Sequence, residues 1–209
     1  MIIHRDIEQG SPEWFALRRG KVTSSKFSDV MAKGQGKTRL AYLEELAFER
    51  YTGKSAPSDF KSFWMDRGNE VEAQARAMYS LQTGKLVEQI AFIEYNEDIG
   101  ASTDGLIKDG LGLCEFKCPK HTTHLRYLLD PSKLAKEYHS QTQGELFVSG
   151  SEYVDLVSYH PDFPPGDDLI IYTVKRDPAY LAELKVELGE FVTDLKKLVY
   201  QLQERKNAK

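Results

Sequence analysis

Residues 102–119 read STDGLIKDGLGLCEFKCP, and the fold turns on how they pair. Asp109-Gly110 is a pair favoured by two-residue hairpin turns, whose central positions need a positive φ that Gly and Asp tolerate. The flanking segments, 101–108 and 112–118, therefore fold back on each other as antiparallel strands. Side chains alternate along a strand, so Glu115 and Lys117 leave one face of the second strand while Cys114, Phe116 and Cys118 leave the other. One face is chemical and the other is core. Asp104, just before Gly105 on the first strand, comes across from the Glu115 region, so two carboxylates and one ammonium converge. Carboxylates that close repel each other unless a cation sits between them, and hard oxygen ligands select Mg2+ or Mn2+. Taken alone, an arbitrary Glu-x-Lys on a strand is better read as a surface ion pair. The cysteines lie four residues apart, about 13 Å at about 3.3 Å per step, too far to bridge. They read as reduced core thiols, and without His or further Cys nearby they make a poor zinc site.

Outward from the hairpin, the pattern of helices and strands implies a mixed sheet packed between helices. Upstream, Ser11-Pro12-Glu13 opens a short helix that runs to Arg19, and a second covers 24–32. A basic, Gly-containing loop at 33–37 precedes a helix over 38–51, with Leu40, Leu43, Leu46 and Ala47 on one stripe. Further helices are expected over 62–83, 131–148 and 178–206, and further strands over 86–95, 153–160 and 169–176. No repeat interrupts this order. With 209 residues and 23.8 kDa the chain fits one α/β domain, 1–209.

A formal net charge of −4 speaks at first against a phosphate-rich partner. The average conceals a split. Residues 10–40 hold seven basic side chains against two acidic, and residues 115–136 hold five against two. Residues 151–168 hold five acids and no Lys or Arg, as expected of a polyanion binder with an acidic back. The first ten residues lack the basic-then-apolar order of a signal peptide, and no apolar run suits a membrane span, so a cytoplasmic protein without membrane contact is expected.

Asp104, about ten residues, then Glu-x-Lys with apolar residues between resembles the PD-(D/E)xK nuclease pattern, here as Thr103-Asp104 without the Pro. Three further motifs make the resemblance specific to the phage lambda exonuclease family of alkaline exonucleases, the YqaJ-like viral recombinases. WFALRRGKVTSS at 14–25 is similar to the family's opening motif, GNEVE at 68–72 to its acidic helix, and YHSQTQ at 138–143 to its Tyr-x-x-Gln-x-Gln helix. The later strands and final helix follow the family pattern too. The resemblance implies a single restriction-endonuclease-like α/β domain with a central mixed sheet flanked by helices.

For the chemistry, it implies two Mg2+ ions per site, with Mn2+ able to substitute. Asp104 would bridge them, Glu115 and the Phe116 carbonyl would complete one site, and Glu72 would contribute directly or through water. Lys117 would orient and help deprotonate the attacking water. Without the family, Glu72 is one acid among several on a helix. A second constellation would hold a 5′ phosphate. Arg18 offers a planar fork to phosphate oxygens, and Ser25 lies where a helix N-terminus attracts anions. Gln141 would, by resemblance, donate to that phosphate or the scissile one. The family's DNA-contacting Arg falls near Gly34, leaving open whether Lys33 or Lys37 replaces it. Gly144 stands where a large residue is usual, so the packing there departs from the pattern. The implied activity is a 5′→3′ exonuclease on linear duplex DNA with 5′-phosphate ends. It would act as a homotrimeric ring beside a single-strand annealing protein, encoded by a phage or prophage. A PD-(D/E)xK endonuclease and a non-catalytic end-binding protein are the alternatives; the intact Asp104, Glu115 and Lys117 argue against the latter.

Overall fold

The computed structural model describes residues 1–32, 37–56, 63–108 and 110–208, the side chains of 63–70 excepted. In order, the elements are β1 (Ile2–His4), α1 (Pro12–Arg18), β2 (Val22–Thr23), a 3-10 turn (Ser24–Lys26), α2 (Phe27–Val30), α3 (Lys37–Thr52) and α4 (Phe63–Thr83). Then come β3 (Val87–Glu88), β4 (Phe92–Glu94), β5 (Ile99–Ala101), β6 (Gly105–Ile107) and β7 (Gly112–Lys117). The chain ends with α5 (His121–Leu129), α6 (Ser132–Glu137), α7 (His139–Ser149), β8 (Tyr153–Tyr159), β9 (Leu169–Lys175) and α8 (Pro178–Asn207).

The strands form two mixed sheets, ordered β1-β4-β5-β2 and β3-β6-β7-β8-β9, where the sequence led us to expect one. The division follows from two breaks. The expected strand over 86–95 divides into β3 and β4, and that over 101–108 divides between β5 and β6. At both breaks the backbone carbonyls are taken by side chains from the N-terminal segment, which withdraws them from any ladder. Gln9 Nε2 donates to Ile90 O at 2.9 Å and to Thr103 O at 3.0 Å, and Trp14 Nε1 donates to Ala91 O at 3.0 Å. Asp104 thus lies on the link between the sheets. The two strands of the hairpin pair as expected, with Gly105 opposite Cys114 and Leu106 opposite Leu113, while Asp109 of the expected turn lies outside the described residues. Gly105 is required there: a Cβ would lie 2.3 Å from Val87 Cγ1 and 2.9 Å from Glu88 O.

Strand β7 is central, paired in parallel with β8 so that Glu115 faces Leu156 and Lys117 faces Ser158. Its Cys114 and Phe116 pack beneath Ala75 and Tyr79 of α4, the core face anticipated from alternation. On the other side of this sheet, Tyr127 and Leu134 of α5 and α6 cover Leu156, Ile170 and Val174. The largest core joins α2, α3, α7 and α8 to the first sheet. Helix α8 starts where Asp177 Oδ1 accepts from the amides of Ala179 and Tyr180, both at 3.1 Å, an N-cap followed by Pro178 at its favoured first position. Its buried Leu181, Leu184, Leu188, Phe191 and Leu195 recur every three or four residues, each worth about 1.5–3 kcal/mol of transfer free energy.

Two expectations about helices need correction. The helix expected over 24–32 is a 3-10 turn followed by only four α-helical residues, so it carries little macrodipole. The helix expected over 131–148 is two, divided at Tyr138, and the unanticipated α5 precedes them. The acidic back is smaller than the sequence suggested. Asp155 is buried and accepts from Tyr79 Oη at 2.6 Å, Thr173 Oγ1 at 2.6 Å and Lys85 Nζ at 2.8 Å, while Asp168 is buried too. Of the basic residues at 10–40, Lys21, Lys26 and Arg39 pair with Glu94, Asp29 and Asp194. Both cysteines are outside any disulfide. Among the described residues no helix is long and apolar enough to cross a membrane.

Candidate active site

The hairpin, α4 and α7 bring four carboxyl groups around one lysine. Glu115, only 4% exposed, projects from β7 toward α7. Its Oε1 accepts from Lys117 Nζ at 2.8 Å and from Gln141 Nε2 at 2.6 Å. Its Oε2 is buried with no hydrogen-bond partner among the described residues. Asp104 enters from the link between the sheets, where its Oδ2 accepts from the Phe116 amide at 2.6 Å, fixing it across the strand from Glu115. Glu72 comes from α4, bound by Arg76 one turn later at 2.5 Å, and Arg76 in turn lies 5.7 Å from the centre of the Phe116 ring. The fourth acid, Glu145, is fully buried on α7 and accepts from Gln141 Nε2 at 2.8 Å.

These groups feel one another. Burial raises the Asp104 carboxyl well above the usual range, and the charges of Glu115 and Glu72 raise it further. Burial and Glu115 do the same to Glu145, and burial raises Glu72 against the opposing pull of Arg76. Lys117 goes the other way. Burial disfavours its charge, but Glu115 and Asp104 outweigh burial and hold the ammonium above its ordinary pKa. With only protein around it, Lys117 is therefore a firmly protonated cation that orients neighbours, and it becomes a base only if the carboxylate charge is neutralised.

A buried carboxylate oxygen without a partner, beside three more carboxyl groups and a single ammonium, is a hard-oxygen donor set suited to a divalent cation such as Mg2+. Among the described residues no three His, Cys, Asp or Glu side chains form a ready-made metal shell. The residues therefore fit a cation shell completed by backbone oxygen and water.

The second constellation is tied to the chain at Ser102, two residues before Asp104. Arg18, at the end of α1, is stacked 4.4 Å from the centre of the Trp14 ring and donates from Nη1 to Ser102 Oγ at 2.6 Å. Its Nη2 reaches Thr23 Oγ1 at 3.4 Å, and Thr23 Oγ1 lies 3.4 Å from Ser25 Oγ. Burial lowers the Arg18 pKa from its very high ordinary value, which leaves a desolvated cation. Arg18 and Ser25 are thus joined through Thr23, with Ser25 exposed on the 3-10 turn rather than at the head of a true helix. Gln141 lies inside the carboxylate cluster, bonded to Glu115, Lys117 and Glu145. Gly144 explains the close approach of α7 to the turn: a Cβ would meet Phe27 Cδ2 at 2.4 Å and Ser24 Cβ at 3.3 Å. Lys33 lies outside the described residues, and Lys37 is the exposed first residue of α3.

Sequence reasoning missed Ser102, Thr23, Arg76 and Glu145. Arg76 and Glu145 each lie four residues from a singled-out side chain, Glu72 and Gln141, on the same helix face. That spacing was the available signal.

Residues 13–152 match the sequence model of the YqaJ-like viral recombinase domain. The chain belongs to this family. Its structure is similar to that of an alkaline exonuclease, LHK-Exo from Laribacter hongkongensis, with a TM-score of 0.86 and 34% identity over 95% of this chain and 99% of that one. The same enzyme in complex with dAMP gives a TM-score of 0.86 and 35% identity over the same shares. A phage related exonuclease from Haemophilus somnus 129PT, 18% identical over 89% of this chain and 96% of that one, shares the fold at a TM-score of 0.70. No curated protein matches the chain. The fold of this YqaJ-like chain is accordingly of the PD-(D/E)xK nuclease type.

Proposed function

We propose that this YqaJ-like protein is a Mg2+-dependent 5′→3′ exonuclease. It digests the 5′-ended strand of linear duplex DNA and leaves 3′ single-stranded tails for phage-type recombination. The observation that carries the reading is the convergence of Asp104, Glu115 and Lys117 around a buried, unpartnered carboxylate oxygen. Asp104, Glu115 and the Phe116 carbonyl would hold the metal ions, two per site, with Mn2+ able to substitute, and Glu72 would join through water. When bound, such ions activate water and neutralise charge on phosphorus and on the departing 3′ oxygen. Lys117 orients the attacking water against Glu115. Gln141 would stand beside the scissile phosphate on α7, holding Glu115 and Lys117 in place.

Arg18 and Ser25 would take the terminal 5′ phosphate. A pocket that only an end can fill turns hydrolysis at any bond into hydrolysis from an end. The dAMP held by the Laribacter enzyme supports a mononucleotide-sized product. A homotrimeric ring around DNA, an annealing-protein partner, a cytoplasmic location in a bacterial host and a phage or prophage origin complete the proposal. Lys33 or Lys37 would contact the duplex.

The deciding experiment compares linear duplex with 5′-phosphate, linear duplex with 5′-hydroxyl, and covalently closed circles, each in Mg2+ and in Ca2+. Digestion of phosphorylated linear duplex in Mg2+ alone is expected. Equal digestion of circles would replace this reading with an endonuclease of the restriction or repair type. Full activity in Lys117→Ala would remove the assigned site.

A further inference from the structure

We infer that Glu145 is a positioning residue which, through the amide of Gln141, aims the Lys117 ammonium at the reacting centre; the inference rests on the nuclease reading above. An amide side chain has two faces of opposite character and can turn over, exchanging its oxygen for its nitrogen. In Gln141 the nitrogen donates to two carboxylates at once, Glu115 Oε1 at 2.6 Å and Glu145 Oε1 at 2.8 Å. Turning the amide over would set its oxygen against both. Glu145 therefore locks the orientation in which Gln141 Oε1 faces Lys117 Nζ, at 3.2 Å.

Lys117 Nζ is then held from three sides, by Glu115 Oε1 at 2.8 Å, Gln141 Oε1 at 3.2 Å and the Tyr138 ring, whose centre lies 4.5 Å away. Without Glu145, Glu115 alone would have to set the Gln141 amide, while also anchoring the ammonium and supplying an oxygen to the metal. Glu145 is fully buried, one helical turn beyond Gln141, and its Oε2 has no partner among the described residues. A carboxyl group kept in such surroundings needs a purpose, since burial without full pairing is costly.

The test uses Glu145→Gln, whose side-chain oxygen can still accept from Gln141, and Glu145→Met and Glu145→Ala, which cannot. Both apolar variants should lose about 10- to 100-fold in kcat on phosphorylated linear duplex, as expected of a misaimed group, while KM for DNA ends stays put. Glu145→Gln should restore most of the rate. Adding Glu145→Met to Gln141→Ala should cost nothing beyond Gln141→Ala alone, because Glu145 acts through the Gln141 amide. The nitrogen-15 NMR signal of the Lys117 ammonium should be alike in wild type and Glu145→Gln, and shifted or broadened in Glu145→Met. Wild-type kcat in the apolar variants, a Glu145→Gln no better than Glu145→Met, or additive losses would each overturn the inference. A wild-type protein that leaves linear duplex intact would instead overturn the nuclease reading, and the ammonium spectra would still decide whether Glu145 aims Lys117.

Discussion

Gly144 offers a measurement of how tightly α7 is pressed on the 3-10 turn. Replacing it with Ala puts a Cβ 2.4 Å from Phe27 Cδ2, on a fully buried ring, and 3.3 Å from Ser24 Cβ. Carbon atoms at rest stand about 3.5–4.0 Å apart, so something must move by about 1 Å. Overpacking of this kind costs about 1–3 kcal/mol. An alanine in a helix interior returns about 1 kcal/mol of propensity, so the net effect alone would be ambiguous. Gly189 resolves it. That glycine lies within α8, and a Cβ there meets nothing within 4 Å, so Gly189→Ala collects the propensity gain without the clash. The two alanine variants should therefore differ by about 1–3 kcal/mol, with Gly189→Ala above wild type. Urea unfolding of both proteins measures the gap, and thermal melts should show it at about 2–4 °C per kcal/mol. Equal shifts in the same direction would refute the close packing of α7 on Phe27. Because Gln141 rides on the same helix, Gly144→Ala should also lose nuclease rate, and Gly189→Ala should not.

Three further outcomes follow, two from the site and one from the sheet beside it. Arg18→Ala should abolish preference for phosphorylated ends while Mg2+ binding, followed by calorimetry, is retained; an unchanged preference would take Arg18 out of the pocket. In EDTA, stability should fall as pH rises from about 4, because the raised carboxyls of Asp104, Glu72 and Glu145 stay protonated in the folded chain after the unfolded chain has released its protons. Each such group contributes a slope of up to about 1.4 kcal/mol per pH unit within its window, and Mg2+ should flatten the profile; a rising profile in EDTA would contradict the geometry. Asp155→Asn weakens the bonds from Tyr79, Thr173 and Lys85 and should cost about 1–3 kcal/mol by urea unfolding.

The pairing of the hairpin strands was legible because its information is local: a period of two and a change of polarity between faces lie within residues 102–119. The two strand breaks were illegible because their cause is remote. Gln9 and Trp14 reach carbonyls at Ile90, Ala91 and Thr103, between 77 and 94 residues away, and no local pattern announces that. Asp155 misled for a similar reason. In a run of five acids it reads as surface, yet it sits on a buried strand with Lys85 as its counter-charge. Gln141 was placed on the right helix, but its bonds to Glu115, Lys117 and Glu145 were not foreseen, since helix spacing fixes a face and not which neighbour lies opposite. The motif positions Asp104, Glu115 and Lys117 come together because they share one hairpin, and Glu145 escaped notice because burial is a tertiary property.

The link Ser102-Thr103-Asp104 carries a last consequence. Arg18 grips Ser102, Thr103 is pinned by its hydroxyl donating to Cys114 O at 3.0 Å, and Asp104 is fixed by the Phe116 amide. Two residues of chain reach no more than about 7 Å. What Arg18 holds and where Asp104 acts are therefore separated by a covalent gauge, whose length neither heat nor salt can stretch. Under the proposed reading, the size of the piece cut from a DNA end is written into the backbone itself. One residue inserted after Ser102 would change which bond is cut, and not merely how fast.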